Sequence, residues 1–140
     1  MTTRRSGTVG AMRVIPDRSV VTSLADPARF TGRVWRTDYL DPDDLEHLAG
    51  SRFHYEPGAR SHWHVHEHEQ AIVGMFGSGI VAWEGLDHPV ELGPGDWWHV
   101  EPGVPHWHGA TPATAFAHLA ITAGGATTWL HEVADADYHR

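Results

Sequence analysis

Residues 59–79 read ARSHWHVHEHEQAIVGMFGSG, and four histidines alternate within them, at His62, His64, His66 and His68. On an extended strand, side chains two apart share a face, with Cα atoms about 6.6 Å apart. His64 and His66 can therefore grip one ion from a single strand. Gln70 has the same parity, but a straight strand from His62 to Gln70 would span about 26 Å, so only two neighbours meet at one point unless the chain bends. Gln70 also opens the apolar run AIVGMF, which reads as a buried strand. An amide at the head of a core strand needs a partner, and a metal would supply one. A second pair, His106 and His108, lies in GDWWHVEPGVPHWHGA, after a Pro-Gly turn. An antiparallel sandwich can bring such distant strands side by side, which lets His106 complete the site.

Working outward, alternation recurs in SRFHYEP, GIVAWEG, HPVELG, DWWHVEP, VPHWHG and TAFAHLAIT. The breaks fall at Pro57-Gly58, Gly77-Ser78-Gly79, Gly93-Pro94-Gly95 and Pro102-Gly103. Such closely spaced breaks, with no long segment of helical period, predict a single all-β domain, an antiparallel β-sandwich or barrel. The end of the chain, TTWLHEVADADYHR, reads as one more strand and a helical turn. The stretch DPDDLEHL, Asp41–Leu48, reads either as one helical turn or as an acidic loop. Residues 1–30 are weakly patterned and are expected to form an N-terminal arm with a short strand or two, followed by the β domain at 31–140.

Composition narrows the function. The chain has 140 residues, no cysteine, thirteen histidines and seven tryptophans, and a formal charge of −8. Thiol catalysis, thiolate ligands and disulfides are excluded, in agreement with a reducing cytoplasm. No apolar run near the start suits a signal peptide, and none approaches a membrane span. The acidic balance argues against nucleic-acid binding. The expected partner is a small molecule. His62, His68, His99 and His131 are expected to be polar surface. Trp63, Trp98 and Trp107 neighbour other motif residues, and strand parity points them away from the ligands into core. Trp83 and Trp97 are the better candidates for a cavity wall.

The positions Gly58, His64, His66, Gln70 and Gly77, followed by Gly95, Gly103 and His106, resemble the two motifs of the cupin superfamily, with their spacing kept. Glu101 stands where the second motif has proline (Pro102 follows), and Ala110 where many members have asparagine. The resemblance covers roughly residues 50–122 and implies a cupin jelly-roll barrel. Glutamine at position 70 and the run PHWHGATPATAFAHLAI are more narrowly similar to single-domain cupins that include manganese-dependent hydroxynitrile lyases and the domains found beside carboxymuconolactone decarboxylases. That similarity implies metal ligands at His64, His66, Gln70 and His106, one divalent ion (manganese first), and pocket positions at His108 and His118. It also implies a homo-oligomer, a dimer or tetramer.

Three imidazoles and one amide oxygen are all neutral, so a bound dication keeps its full charge and acts as a strong Lewis acid. Mixed imidazole and oxygen donors suit Mn, Fe, Co, Ni or Zn. A histidine beside a dication is held neutral and is available as a base, which fits His108 and His118 to proton transfer. By spacing alone, His108 also reads as a hydrogen-bond partner behind the ligands, and His118 as a core histidine bonded to backbone. The leading expectation is a metal-dependent lyase acting next to a carbonyl or hydroxyl carbon, with cyanohydrin cleavage as the family's pattern. The alternatives are a metal-dependent dioxygenase of the quercetinase or acetylacetone type, a polyketide cyclase, and a non-enzymatic ligand-binding cupin.

Overall fold

Strands follow one another at short intervals in the computed structural model, which describes residues 12–41, 43 and 45–140. They are β1 Thr22–Leu24, β2 Phe30–Thr31, β3 Val34–Leu40, β4 Leu48–Tyr55, β5 Arg60–Ser61, β6 His64–His66 and β7 Gln70–Gly77. After them come β8 Gly79–Trp83, β9 Val90–Leu92, β10 Trp97–Val100, β11 His106–Ala110, β12 Phe116–Ala123 and β13 Thr127–Trp129. One short helix, α1 Asp135–Tyr138, follows. The closing strand and helical turn expected after Thr127 are both present. Residues 1–11 of the expected arm lie outside the described residues, as do Pro42 and Asp44 of the acidic stretch. In that stretch Leu45 N–H donates to the Asp41 carbonyl at 3.1 Å, a single turn bond, before β4 begins at Leu48.

Two antiparallel sheets face each other in a β-sandwich. One runs β1-β3-β4-β12-β7-β10. In the other, β11 has β5 and β6 along one edge and β8 along the other, with β2, β13 and β9 outside them. Tyr55, Ile72 and Phe116 are fully buried between the sheets. Burying apolar side chains of this size stabilises by about 1.5–3 kcal/mol each. The motif residue Gly77 has φ +78, and a Cβ there would lie 1.9 Å from the Ala115 carbonyl oxygen. Only glycine fits this turn.

A second, smaller cluster closes the outside of the β11 sheet. Trp107, Val133 and Tyr138 are buried together, with Trp63 packed against them. The buried Arg60 guanidinium holds this end in place. It donates to the Val133 carbonyl at 2.9 Å and to Asp135 at 2.7 Å, and it lies 4.3 Å from the Tyr138 ring centre. Trp63 and Trp107 are thus core, as parity suggests.

Of the other tryptophans, Trp98 joins the core and Trp83 lines a hollow, as expected, but Trp97 departs from expectation and Trp98 faces His106 rather than away from it. Trp97 is 71% exposed and cannot line a cavity. Trp98 pairs with the buried Ile72 and packs into the main core, 5.6 Å from the His106 ring and 5.8 Å from Trp83. The face of β10 is set by its pairing with β7, not by parity counted from a ligand on another strand.

Candidate metal centre

The alternating histidines are split by a bend. β6 ends at His66, residues Glu67–Glu69 turn, and β7 begins at Gln70 in the opposite sheet. The chain thereby folds Gln70 back over His64 and His66, which a straight strand could not do. His106 arrives from β11, whose register places it directly opposite His64. Ligand-capable atoms of His64, His66 and His106 all lie within 4.8 Å of one another, and all three residues are buried. Gln70 lines the same cavity as His64 and His66.

Each of the four side chains is held from behind by one atom, leaving the other free. His64 Nδ1 donates to the His62 carbonyl at 2.8 Å, and His106 Nδ1 donates to the Val104 carbonyl at 2.9 Å. A carbonyl only accepts, so both rings carry their proton on Nδ1 and present a bare Nε2. His66 Nδ1 bonds the Thr127 hydroxyl at 3.0 Å, and the Gln70 amide nitrogen donates to Thr122 Oγ1 at 2.9 Å. His66 Nε2, His106 Nε2 and Gln70 Oε1 are buried without a hydrogen-bond partner among the described residues. Orphaned buried polar atoms are rare and costly, and three of them meeting here form a donor set that fits a divalent cation. Burial pushes all three imidazoles below their ordinary value, His106 to about 4. They are therefore neutral donors at pH 7, as metal ligands must be.

His108 lines the cavity with His64, His66 and Gln70, whereas His118 does not. The two are joined by a residue that sequence spacing did not reveal. The buried Tyr55 hydroxyl lies 2.5 Å from His108 Nδ1 and 3.0 Å from His118 Nε2. Burial raises the Tyr55 hydroxyl well above its ordinary value and lowers both histidines, His118 to about 4. All three are neutral and linked. Trp129 was also missed. It stacks on His64 with ring centres 4.6 Å apart and forms one wall of the cavity with Phe30 and Phe53. His68, His99 and His131 are exposed and His62 is half-buried, as polar surface requires.

The cavity itself holds about 150 Å³. A larger hollow of about 290 Å³ lies against His106 and is walled by Trp83 and Trp98.

Fold and motif positions together define a cupin with a candidate metal site, and the comparisons agree on the family. Residues 51–122 match the cupin domain family, and the chain belongs to it. A protein of Granulicella tundricola named (R)-mandelonitrile lyase is 40% identical over 114 residues, covering 79% of this chain and 86% of that one. A cupin-like protein of Thermotoga maritima is 30% identical and superposes with a TM-score of 0.80, over 84% of this chain and 90% of the other. The polyketide cyclase RemF of Streptomyces resistomycificus, 18% identical, shares the fold with a TM-score of 0.74 over 92% of each chain. No helix among the described residues is long and apolar enough to cross a membrane.

Proposed function

We propose that this protein is a metal-dependent lyase that cleaves a bond next to a hydroxyl-bearing carbon, on the pattern of cyanohydrin cleavage. The observation that carries the reading is the convergence of unpartnered His66 Nε2, His106 Nε2 and Gln70 Oε1 beside a cavity-lining His108. The relative named (R)-mandelonitrile lyase supports the choice of reaction. His64, His66, Gln70 and His106 would hold the ion, manganese in the first instance. Bound there with neutral ligands, a dication supplies Lewis acidity towards developing negative charge.

The chain's own part is proton transfer at His108. Tyr55 engages Nδ1, which leaves Nε2 for the cavity. With Nδ1–H donating to the Tyr55 oxygen and the Tyr55 hydroxyl donating to His118 Nε2, His108 Nε2 carries a lone pair. It takes the substrate's hydroxyl proton as the carbon–carbon bond to cyanide breaks and the carbonyl forms, then returns that proton to the departing cyanide. The same Nδ1–H bond to Tyr55 serves the neutral and the protonated ring, so no rearrangement accompanies the transfer. His118 positions Tyr55 and touches no substrate. A cavity of about 150 Å³ suits a single ring, by comparison with cavities of that size that take up benzene, and is small for a polycyclic polyketide.

The test is release of aldehyde and cyanide from mandelonitrile by manganese-loaded protein, with oxygen uptake on a flavonol or β-diketone measured beside it. Cyanide release abolished in His108→Ala supports the lyase. Oxygen uptake without cyanide release would move the assignment to a dioxygenase.

A further inference from the structure

We propose that Arg36 is an anion anchor in this cavity and that the substrate it selects is a small carboxylate with a body of about one ring. The proposal rests on the cavity being the substrate site, as argued above. Arg36 lies on β3 opposite Phe53 on β4, two pairs along from Val34 and Tyr55 and so on the same face. Val34 and Tyr55 are buried in the main core, so alternation turns Arg36 inward, towards the space between the sheets. Arg36 and Phe53 both line the cavity. The Arg36 side chain is 37% exposed, so its guanidinium stands at the solvent edge of the cavity, within reach of an entering ligand.

Its pairing is partial. Arg36 Nε donates to Asp38 Oδ1 at 2.6 Å, and the Ser51 hydroxyl donates to that same oxygen at 2.6 Å. Asp38 is thus held from two sides and fixes the guanidinium by its Nε edge. The terminal Nη1 and Nη2 have no protein partner among the described residues. That is the fork which binds a carboxylate through two parallel hydrogen bonds. The charge is felt inside the protein. The guanidinium sits 5.3 Å over the Phe53 ring and opposes the effect of burial on Tyr55.

The lining as a whole favours an anion. It includes one guanidinium and, among the described residues, no aspartate or glutamate, in a chain with 18 acidic and 10 basic residues. Asp38 offsets much of the Arg36 charge from outside that lining, so the anchor acts through the directional fork of Nη1 and Nη2 rather than through net charge. Phe30, Phe53 and Trp129 provide the apolar walls for the body of the ligand.

The experiment compares phenylacetate with phenylacetamide, equal in shape and different in charge, as ligands of the manganese-loaded protein followed by tryptophan fluorescence and calorimetry. Phenylacetate should bind wild type roughly tenfold or more tightly than the amide, the expected range for a charge-assisted pair. Arg36→Gln should remove that preference while amide binding, metal content and circular dichroism stay unchanged, and Arg36→Lys should restore part of it. Three outcomes would overturn the proposal: a preference that persists in Arg36→Gln, which would make the ion the anchor; equal binding of acid and amide to wild type; or no saturable binding of the acid. Cyanide release plays no part in this readout. Arg36-dependent binding without lyase turnover would discard the reaction and keep the anchor, and turnover with Arg36-independent binding would do the reverse.

Discussion

The imidazoles of His64 and His106 face each other across one antiparallel pair, with ring centroids 4.2 Å apart. Neither can be charged without disfavouring the other, and burial already holds both below their ordinary value, with His106 the leading charge acting on His64. Two neutral, buried imidazoles, each with its Nδ1 fixed by a backbone carbonyl, are arranged for a cation that brings its own charge.

Gln70→Glu tests the value of a neutral donor set. The carboxylate should hold the metal at least as well, and the Thr122 hydroxyl that now accepts from the amide can rotate to donate instead. One unit of the ion's charge is then neutralised, and turnover through an anionic intermediate should fall on the order of tenfold. A rise in kcat at equal metal content would contradict the argument.

His108→Ala should lower turnover by roughly 10²- to 10⁴-fold with metal content intact, the usual contribution of a positioned acid–base group. His118→Ala should cost less, because His118 does not line the cavity and is hydrogen-bonded to His108 only by way of Tyr55. Equal losses in the two variants would place His118 at the substrate instead.

Tyr55→Phe removes the hydroxyl between the two histidines and nothing else. Each buried ring nitrogen left without a partner costs about 1–3 kcal/mol, so the melting temperature should drop by several degrees. Turnover should fall with it, while metal analysis stays at the wild-type value. Unchanged turnover would mean that the link is structural only.

The strands and the His64–His66 pair were legible because both depend on local signals, Gly and Pro breaks and a period of two. Gln70 was legible as a core-strand amide in need of a partner and as a motif position, but residue spacing says nothing of the bend at Glu67–Glu69 that returns it to the site. Tyr55 was not legible at all. It sits in SRFHYEP like any alternating strand residue, and only the β4–β12 register, which pairs Tyr55 with Phe116, brings it beside His118. Arg36 escaped for the same reason, in a stretch with weak patterning whose inward face is defined by β4. Trp97 was misplaced, and Trp98 faces His106 from the core, because parity counts within a strand and β10 carries no ligand.

His118 also predicts a pH dependence of stability. It is fully buried, and burial lowers its folded-state pKa from an ordinary 6.5 to about 4. As pH falls below about 6.5, the unfolded chain takes up a proton that the folded one refuses until about pH 4. Stability should therefore be lost on acidification through that window, by up to about 1.4 kcal/mol per pH unit and about 3 kcal/mol in all. Urea unfolding of metal-free protein between pH 7 and 4.5 should show a shallower loss for His118→Gln than for wild type. Parallel curves would show that His118 is protonated equally in both states.

The most direct measurement is metal content after purification and dialysis, by elemental analysis of wild type and of His106→Ala, each before and after reconstitution with manganese. The account predicts about one divalent ion per wild-type chain and loss of most of it in the variant, because His106 Nε2 is buried with no other partner among the described residues and the chain has no cysteine thiolate to replace it. Wild-type protein that purifies without metal and takes up none on reconstitution would contradict it.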